Sequence, residues 1–539
     1  MLWTLDVLHR LIYKAQPMAT ILKSYLNGRW QEGKGSSQAL VNPSTEEVVA
    51  QACTEGLDFG TAVRFAREVG GKNLRALTFS QRAERLKTLA QCLTDAREEL
   101  ISLGMLNAGN TRSDAKFDID GAAATMQYYA DLGLKLGDTR ILVDGEGIPL
   151  GRSARLYGQH ILVPRQGVAV HINAFNFPAW GMAEKLAVAF LSGMPIVTKP
   201  ATATALMAFR IMELWVESKA LPEGALSFVC GNVGDLLSHL GGQDVLAFTG
   251  SGATASTLRQ TANLASENVH VNVEADSLNS AILGTDVDLS SETMNLFLTD
   301  VTREISQKSG QKCTAVRRIY VPQGKLNDVR DALVERMSGF KVGNPADDKV
   351  NVGPLATARQ LADVRAGIRK LADGAEVAIG GEAPVAGIGA PEGKGYFVAP
   401  TLLVRREPRV GDAVNQHEVF GPVATLMPYS DVATLSSLVA AGGGGLVSSI
   451  YSDDKEFVAQ VVEGIAPFHG RLTIGSEKLA GQSVPPGTVM PQLLHGGPGR
   501  AGGGEELGGL RGMGLYMQRL ALQGYRPLVE QVVGVKKAE

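Results

Sequence analysis

Residues 167–200 read Gly-Val-Ala-Val-His-Ile-Asn-Ala-Phe-Asn-Phe-Pro-Ala-Trp-Gly-Met-Ala-Glu-Lys-Leu-Ala-Val-Ala-Phe-Leu-Ser-Gly-Met-Pro-Ile-Val-Thr-Lys-Pro. A short apolar run, Val168 to Ile172, gives way to a polar turn. Apolar residues at helical spacing over Ala179–Leu191 follow, and then a second short run, Pro195 to Thr198. Short apolar runs bounded by turn signals read as buried strands, and the longer segment reads as a helix. The alternation continues with a helix over Ala203–Ser218 and a strand at Leu226–Val229. Region 166–232 therefore predicts βαβ units around a parallel sheet, the mark of an α/β fold.

A second alternating region, from about Asn279 to about Thr473, predicts another α/β domain with its own sheet. Upstream, Leu86, Leu89, Leu93 and Leu100 recur at helical spacing between charged residues, which predicts an amphipathic helix from Ser80 to Leu103. The glycine runs Gly442–Gly445 and Gly496–Gly509 read as loops.

The chain has 539 residues, 45% of them apolar, enough for a large core divided into two or three domains. A net charge of −3 leaves no basic footprint for nucleic acid or an anionic membrane. Four cysteines with no CxxC pair make neither a disulfide framework nor a zinc site, and read as reduced thiols in a cytoplasm. No apolar run is long enough to span a bilayer. Residues 1–17 lack the apolar core of a secretory signal and read as a tail or a mis-set start, with an amphipathic docking helix as the alternative.

Chemistry concentrates at Ser309-Gly310-Gln311-Lys312-Cys313, between a helix-patterned segment and the β-prone Arg318-Ile319-Tyr320-Val321. A thiol at such a junction is held rigidly and yet can be reached. A lone cysteine is more often a small buried hydrophobe than a nucleophile. Its company changes the reading: Asn173-Ala174-Phe175-Asn176-Phe177-Pro178, Val197-Thr198-Lys199-Pro200, Phe248-Thr249-Gly250-Ser251-Gly252, Glu274 and Glu418-Val419-Phe420-Gly421-Pro422.

In this order these segments resemble the signature set of the aldehyde dehydrogenase superfamily, over nearly the whole chain from about Tyr25 to about Gly534. The resemblance implies an α/β aldehyde dehydrogenase fold with three parts. These are a Rossmann-like cofactor-binding domain (18–154 and 166–278), an α/β catalytic domain (279–480) and a small β oligomerisation flap (155–165 and 510–539). It also implies a homodimer or a dimer of dimers.

The resemblance further assigns roles. Cys313 matches the nucleophile, with Lys312 and loop amides able to depress its pKa. Asn176 matches the oxyanion-hole amide. Glu274, set among Val271, Val273 and Leu278, matches the general base, with a raised pKa expected from that apolar setting. Two departures stand here. Glu274 is followed by Ala275-Asp276-Ser277-Leu278 rather than Leu-Gly-Gly-Lys, and it precedes Cys313 by 39 residues, longer than usual. Asp276 is therefore the competing base. Lys185 falls where the family's proton-relay lysine falls, with Glu505 or Glu506 as its partner. Lys199, at the end of a predicted strand, matches the cofactor-ribose cation. Thr202 stands where many NAD-preferring members carry a glutamate, so no carboxylate repels a 2′-phosphate and NADP is expected ahead of NAD. Gly250 and Ser251, in a G-x-G-x-x-A turn, match the pyrophosphate loop, and Glu418 and Phe420 the nicotinamide-ribose and ring contacts. No metal site is expected.

The run from His495 to Arg511, together with Asn272 to Asn279, is similar to a branch acting on CoA-linked semialdehydes in aerobic aromatic catabolism. The expected partner is thus a small CoA-linked aldehyde. A phenylacetate-pathway semialdehyde dehydrogenase, a dehydrogenase for free medium-chain aldehydes and a non-catalytic scaffold on the same fold are the alternatives.

Overall fold

The computed structural model describes residues 20–534. The expected tail at residues 1–17 and the end of the second flap segment, 535–539, lie outside them. Two seven-stranded sheets form the body of the molecule, with a three-stranded antiparallel sheet beside them.

The first sheet runs, edge to edge, His270–Glu274, Val245–Thr249, Ala169–Ile172, Ile196–Lys199, Leu226–Phe228, Ser24–Leu26, Arg29–Gln31. The first five strands are parallel and the last two antiparallel. Chain order reverses on either side of Ala169–Ile172, which creates a topological switch point at the carboxyl ends of that strand and Val245–Thr249, where doubly wound sheets bind ligands. Alternate residues serve opposite faces: Ala169, Ile196 and Val245 pack into one apolar cluster, Val168, Val170, Val197 and Leu246 into another. The expected helices are found at Trp180–Leu191 and Ala205–Glu217.

The predicted helix over Ser80–Leu103 is two helices, Phe79–Asp95 and Arg97–Ala108, broken at Ala96 (φ −92°, ψ 12°). Periodicity alone cannot show a one-residue break that keeps both apolar faces inward. Thr78 opens the first of them with a capping box to Gln81.

The second sheet runs Glu376–Ile379, Thr401–Val404, Val423–Tyr429, Val316–Pro322, Asn279–Leu283, Gly445–Tyr451, His469–Gly475, parallel except at Glu376–Ile379. Its strands again sort by parity, with Ala281, Leu283, Ile319 and Val321 facing one cluster and Ile282, Tyr320 and Met427 the other. The glycine-rich stretch 496–509, expected as loop, contains a small hairpin in which Leu494–Gly496 pairs with Glu505–Leu507.

Leu156–Pro164 pairs antiparallel with Met517–Tyr525 along nine residues. A third strand, Leu142–Pro149, joins this sheet from the region expected to belong to the cofactor domain. Within the flap segment expected at 510–539, Leu510–Tyr516 and Arg526–Val533 are helices rather than strands.

Arg318 is 1% exposed on the middle of the second sheet. It donates to Leu438 O (2.9 Å), Val439 O (3.1 Å), Leu278 O (2.8 Å) and Asn415 Oδ1 (3.0 Å). The first two are carbonyls in the last turn of the helix Val432–Ala440, where a cation also meets the negative end of the helix dipole. Arg318→Met should cost about 3 kcal/mol or more in urea unfolding, because unpaired buried acceptors cost ~1–3 kcal/mol each. A loss below about 1 kcal/mol would show that water replaces the guanidinium.

Candidate active site

Cys313 sits where the helix Glu292–Ser306 has ended and the strand Val316–Pro322 has not begun. Between them Lys308 (φ 53°), Ser309 (φ 54°) and Gly310 (φ 66°) all take the left-handed conformation, which is costly for the two that are not glycine. At Gly310 a Cβ would lie 2.2 Å from the carbonyl oxygen of Gly421, so both the sign of φ and the close approach demand glycine.

The turn is clamped from several sides. Ser309 Oγ donates to Gly353 O (2.8 Å), and Thr314 Oγ1 to Gly487 O (2.9 Å). Asn279 Nδ2 donates to the carbonyls of both Cys313 and Ala315 (2.8 Å each). Arg317 Nη2 donates to Lys312 O (3.1 Å), and Arg317 Nη1 to Gly421 O (2.8 Å). Asn176 reaches across from the loop after Ala169–Ile172, its Nδ2 donating to Gln311 O (3.0 Å). A primary amide carries two N–H groups, so one remains for an oxyanion beside Cys313.

Cys313, Asn176, Glu274 and Lys185 line one narrow cleft, walled by Phe117, Phe177, Trp180 and Val489. The four residues assigned to catalysis by resemblance thus converge. Asp276 does not join them: its Oδ1 accepts from Gly252 N (2.9 Å) at the next turn.

Sequence reasoning missed His495. Its Nε2 lies 3.3 Å from Glu274 Oε1 and 4.0 Å from Cys313 Sγ. Separated from Cys313 by 182 residues and set in a glycine-rich run, it carries no spacing signal. It overturns one electrostatic expectation. Burial pushes the Glu274 carboxyl up, but His495 and Lys185 outweigh that and hold it below the usual carboxylate range. The expected raised pKa is therefore wrong, because the apolar neighbours in sequence are not the neighbours in space. Burial likewise pushes the His495 imidazole down, and Glu274 outweighs it and raises it.

The Cys313 thiol is raised well above its ordinary value, first by burial and then by the Glu274 charge. Lys312 does not counter this, contrary to the expectation. It is fully buried on the other side of the turn, 2.9 Å from Glu304 Oε2 and 2.7 Å from Gln307 Oε1.

Lys185 pairs with Glu506 (3.0 Å) and Glu184 (3.4 Å), all buried, which selects Glu506 over the exposed Glu505. Burial would lower the Lys185 ammonium, but Glu506, Glu184 and Glu274 raise it. Glu184 is pushed up to about 7 by burial, against the pull of Lys185.

The remaining predicted positions lie around the carboxyl edge of the first sheet or close to the cysteine turn. Lys199 ends its strand with Nζ donating to a backbone carbonyl, Pro200 O (3.1 Å), rather than to a carboxylate. Thr202 Oγ1 donates to Gly231 O (3.2 Å). Gly250 follows Val245–Thr249, and Ser251 caps the helix Gly252–Arg259 by accepting from Thr254 N (3.3 Å). A Cβ at Gly250 would come within 2.5 Å of the Phe248 ring. A lysine that donates to a carbonyl rather than a carboxylate, at the same sheet edge as a strand-to-helix turn, fits a dinucleotide phosphate or ribose. Glu418 accepts from Ser277 N (2.9 Å) and Arg317 (3.3 Å), and burial pushes it up to about 7. Phe420 packs edge-on against Phe175 (5.8 Å).

Residues 30–513 match the aldehyde dehydrogenase family. With the fold and the cleft described above, the chain belongs to that family. It is 43% identical over 477 residues to the 3,4-dehydroadipyl-CoA semialdehyde dehydrogenase of Aromatoleum evansii, covering 88% of this chain and 93% of that protein. In fold it matches an aldehyde dehydrogenase from Bacillus cereus in complex with NAD+ (TM-score 0.81, 24% identity, 96% of this chain and 98% of that one). It also matches a 3,6-anhydro-L-galactose dehydrogenase in complex with NAP (TM-score 0.81, 22% identity, 94% and 100% covered).

The charge arrangement has a measurable consequence. Removing the Glu274 charge in Glu274→Gln should lower the Cys313 pKa, and so enlarge the thiolate fraction at pH 8. A less basic thiolate is a weaker nucleophile, so each tenfold gain in thiolate leaves roughly a threefold gain in rate. Iodoacetamide should therefore alkylate Cys313 several-fold faster in the variant. Slower alkylation would show that Glu274 already works as the base for the thiol.

Proposed function

We propose that this enzyme oxidises a CoA-linked semialdehyde, with 3,4-dehydroadipyl-CoA semialdehyde as substrate, to the carboxylic acid, using NADP. The observation that carries the reading is the convergence of Cys313, Asn176 and Glu274 in one cleft, in a chain 43% identical to the Aromatoleum evansii enzyme.

In this mechanism Cys313 releases its thiol proton to solvent, and the thiolate attacks the aldehyde carbon to form a thiohemiacetal whose oxyanion is held by Asn176 Nδ2 and the Cys313 N–H. A bound nicotinamide cofactor supplies the hydride acceptor that converts the adduct to a thioester. Glu274 then takes a proton from water as the water attacks the thioester carbon, and the acid leaves with Cys313 restored as thiol. The ion pair with His495 and the buried Lys185–Glu506 pair give that proton charged neighbours to move along. Lys199, Gly250 and Ser251 would hold the dinucleotide, and Glu418 and Phe420 would flank its nicotinamide end. Thr202, a neutral side chain, supports NADP because it sets no carboxylate against a 2′-phosphate.

The proposed division is cofactor-binding residues 18–154 and 166–278 and catalytic residues 279–480. The flap is proposed to pair subunits as a dimer or dimer of dimers, supported by the exposed apolar side chains Ile148, Leu156, Leu520 and Leu528. Four unpaired cysteines support a cytoplasmic setting.

One observation favours a second reading. The apolar wall of Phe117, Phe177, Trp180 and Val489 also suits a free medium-chain aldehyde. Formation of reduced cofactor with NADP or NAD, offered against a CoA-linked semialdehyde and hexanal, separates the two. The CoA-linked substrate with NADP should give the larger kcat/KM, with activity abolished in Cys313→Ala and reduced on the order of a hundredfold in Asn176→Ala. Preference for hexanal or for NAD would overturn the corresponding half of the proposal, and full activity in Cys313→Ala would overturn the mechanism.

A further inference from the structure

Cys313 Sγ, His495 Nε2 and one carboxylate oxygen of Glu274 all lie within 4.8 Å of one another. A tetrahedral zinc ion held at ~2.3 Å from sulfur and ~2.0–2.1 Å from nitrogen and oxygen needs its ligands roughly 3.3–3.6 Å apart. The His495–Glu274 distance of 3.3 Å already meets that, and the Cys313–His495 distance of 4.0 Å needs only a small side-chain adjustment. Thiolate, imidazole and carboxylate together suit zinc rather than calcium or magnesium, which take oxygen ligands.

A second observation points the same way. Glu274 Oε1 is buried, with a side chain only 3% exposed, and meets His495 Nε2 at 3.3 Å as an ion pair that lacks hydrogen-bond geometry. The other Glu274 oxygen is held by Thr249 Oγ1 (3.4 Å), which would orient the carboxylate towards a cation between the three residues. The cleft in front of Cys313 leaves a fourth position for water. Lys185 and Arg471 oppose a cation here, whereas Glu184 and Glu274 favour one.

We propose that Cys313, His495 and Glu274 form a zinc site, and that one Zn2+ bound there reversibly switches the dehydrogenase off. Binding displaces the thiol proton from Cys313, and a second proton from His495 where the imidazole is protonated. No electron is transferred. The sulfur lone pair needed to attack the aldehyde is then committed to the metal. The switch rests on the proposed aldehyde chemistry, whereas the zinc site itself uses those residues but not the substrate and stands or falls separately.

The test uses full-length protein freed of metal with a chelator and then dialysed, with Co2+ as a spectroscopic stand-in for Zn2+. One equivalent should produce the near-ultraviolet thiolate-to-cobalt charge-transfer band and the visible bands of tetrahedral cobalt. Both should disappear on adding one equivalent of Zn2+. In Cys313→Ala the charge-transfer band should vanish. His495→Gln and His495→Asn, each checked for an unchanged thermal midpoint, should weaken cobalt binding roughly tenfold or more. Zinc should inhibit aldehyde oxidation at the concentration that displaces cobalt, and chelator should restore it. An absent band, a band that survives in Cys313→Ala, or unaltered binding in both folded His495 variants would overturn the zinc site. Cobalt binding with these dependences in a protein that oxidises no aldehyde would leave the zinc site standing and sink the dehydrogenase reading.

Discussion

Everything at this site hangs on a turn that the backbone resists. Three consecutive residues, Lys308, Ser309 and Gly310, hold positive φ, and left-handed backbone at non-glycine residues costs on the order of 1 kcal/mol or more each. Such a turn persists only where its surroundings over-determine it. Here the surroundings come from distant parts of the chain: Asn279 from the neighbouring strand, Gly353 and Gly421 from later loops, and Asn176 from the first sheet. The thiol is therefore positioned by the packing of both halves of the protein, and no local change in its own turn would be tolerated cheaply.

The same convergence sets the electrostatics. Four strand ends bring Asn173, Lys199, Thr249 and Glu274 to one edge of the first sheet, while the hairpin 494–507 delivers His495 and Glu506 from the other side. Five buried ionisable groups, Glu184, Lys185, Glu274, His495 and Glu506, then share a small volume with the half-buried Cys313. In such a setting burial and neighbouring charges compete group by group. At Glu274 the charges of His495 and Lys185 outweigh burial and hold the carboxyl ionised, whereas at Cys313 burial comes first and the Glu274 charge adds to it, so the thiol resists ionisation.

Much of this was legible in the sequence, for reasons that differ by residue. The parallel strands announced themselves because buried strands read as short apolar runs, and the residues around Cys313 because a motif preserves its internal spacing. What escaped were contacts between segments far apart. His495 lies in a glycine run with no periodicity, and the choice of Glu506 over Glu505 depends on which face of a two-residue step turns inward. The direction of Lys312 was misread because adjacency in sequence was taken for adjacency in space. Its side chain crosses the turn to Glu304 instead. The third strand of the antiparallel sheet, Leu142–Pro149, was hidden by its glycines, acidic residues and exposed face.

The hairpin that carries His495 also fixes an order of events during synthesis. The ribosome makes Cys313 182 residues before His495, an interval on the order of ten seconds or more at ~5–20 residues per second. Glu506 and the strand Met517–Tyr525, which pairs with Leu156–Pro164, come later still. Throughout that interval a nascent chain carries the Cys313 sulfur without the partners that surround it in the finished molecule. Chaperones that shield half-made α/β chains would then protect this thiol from oxidation as well as from aggregation.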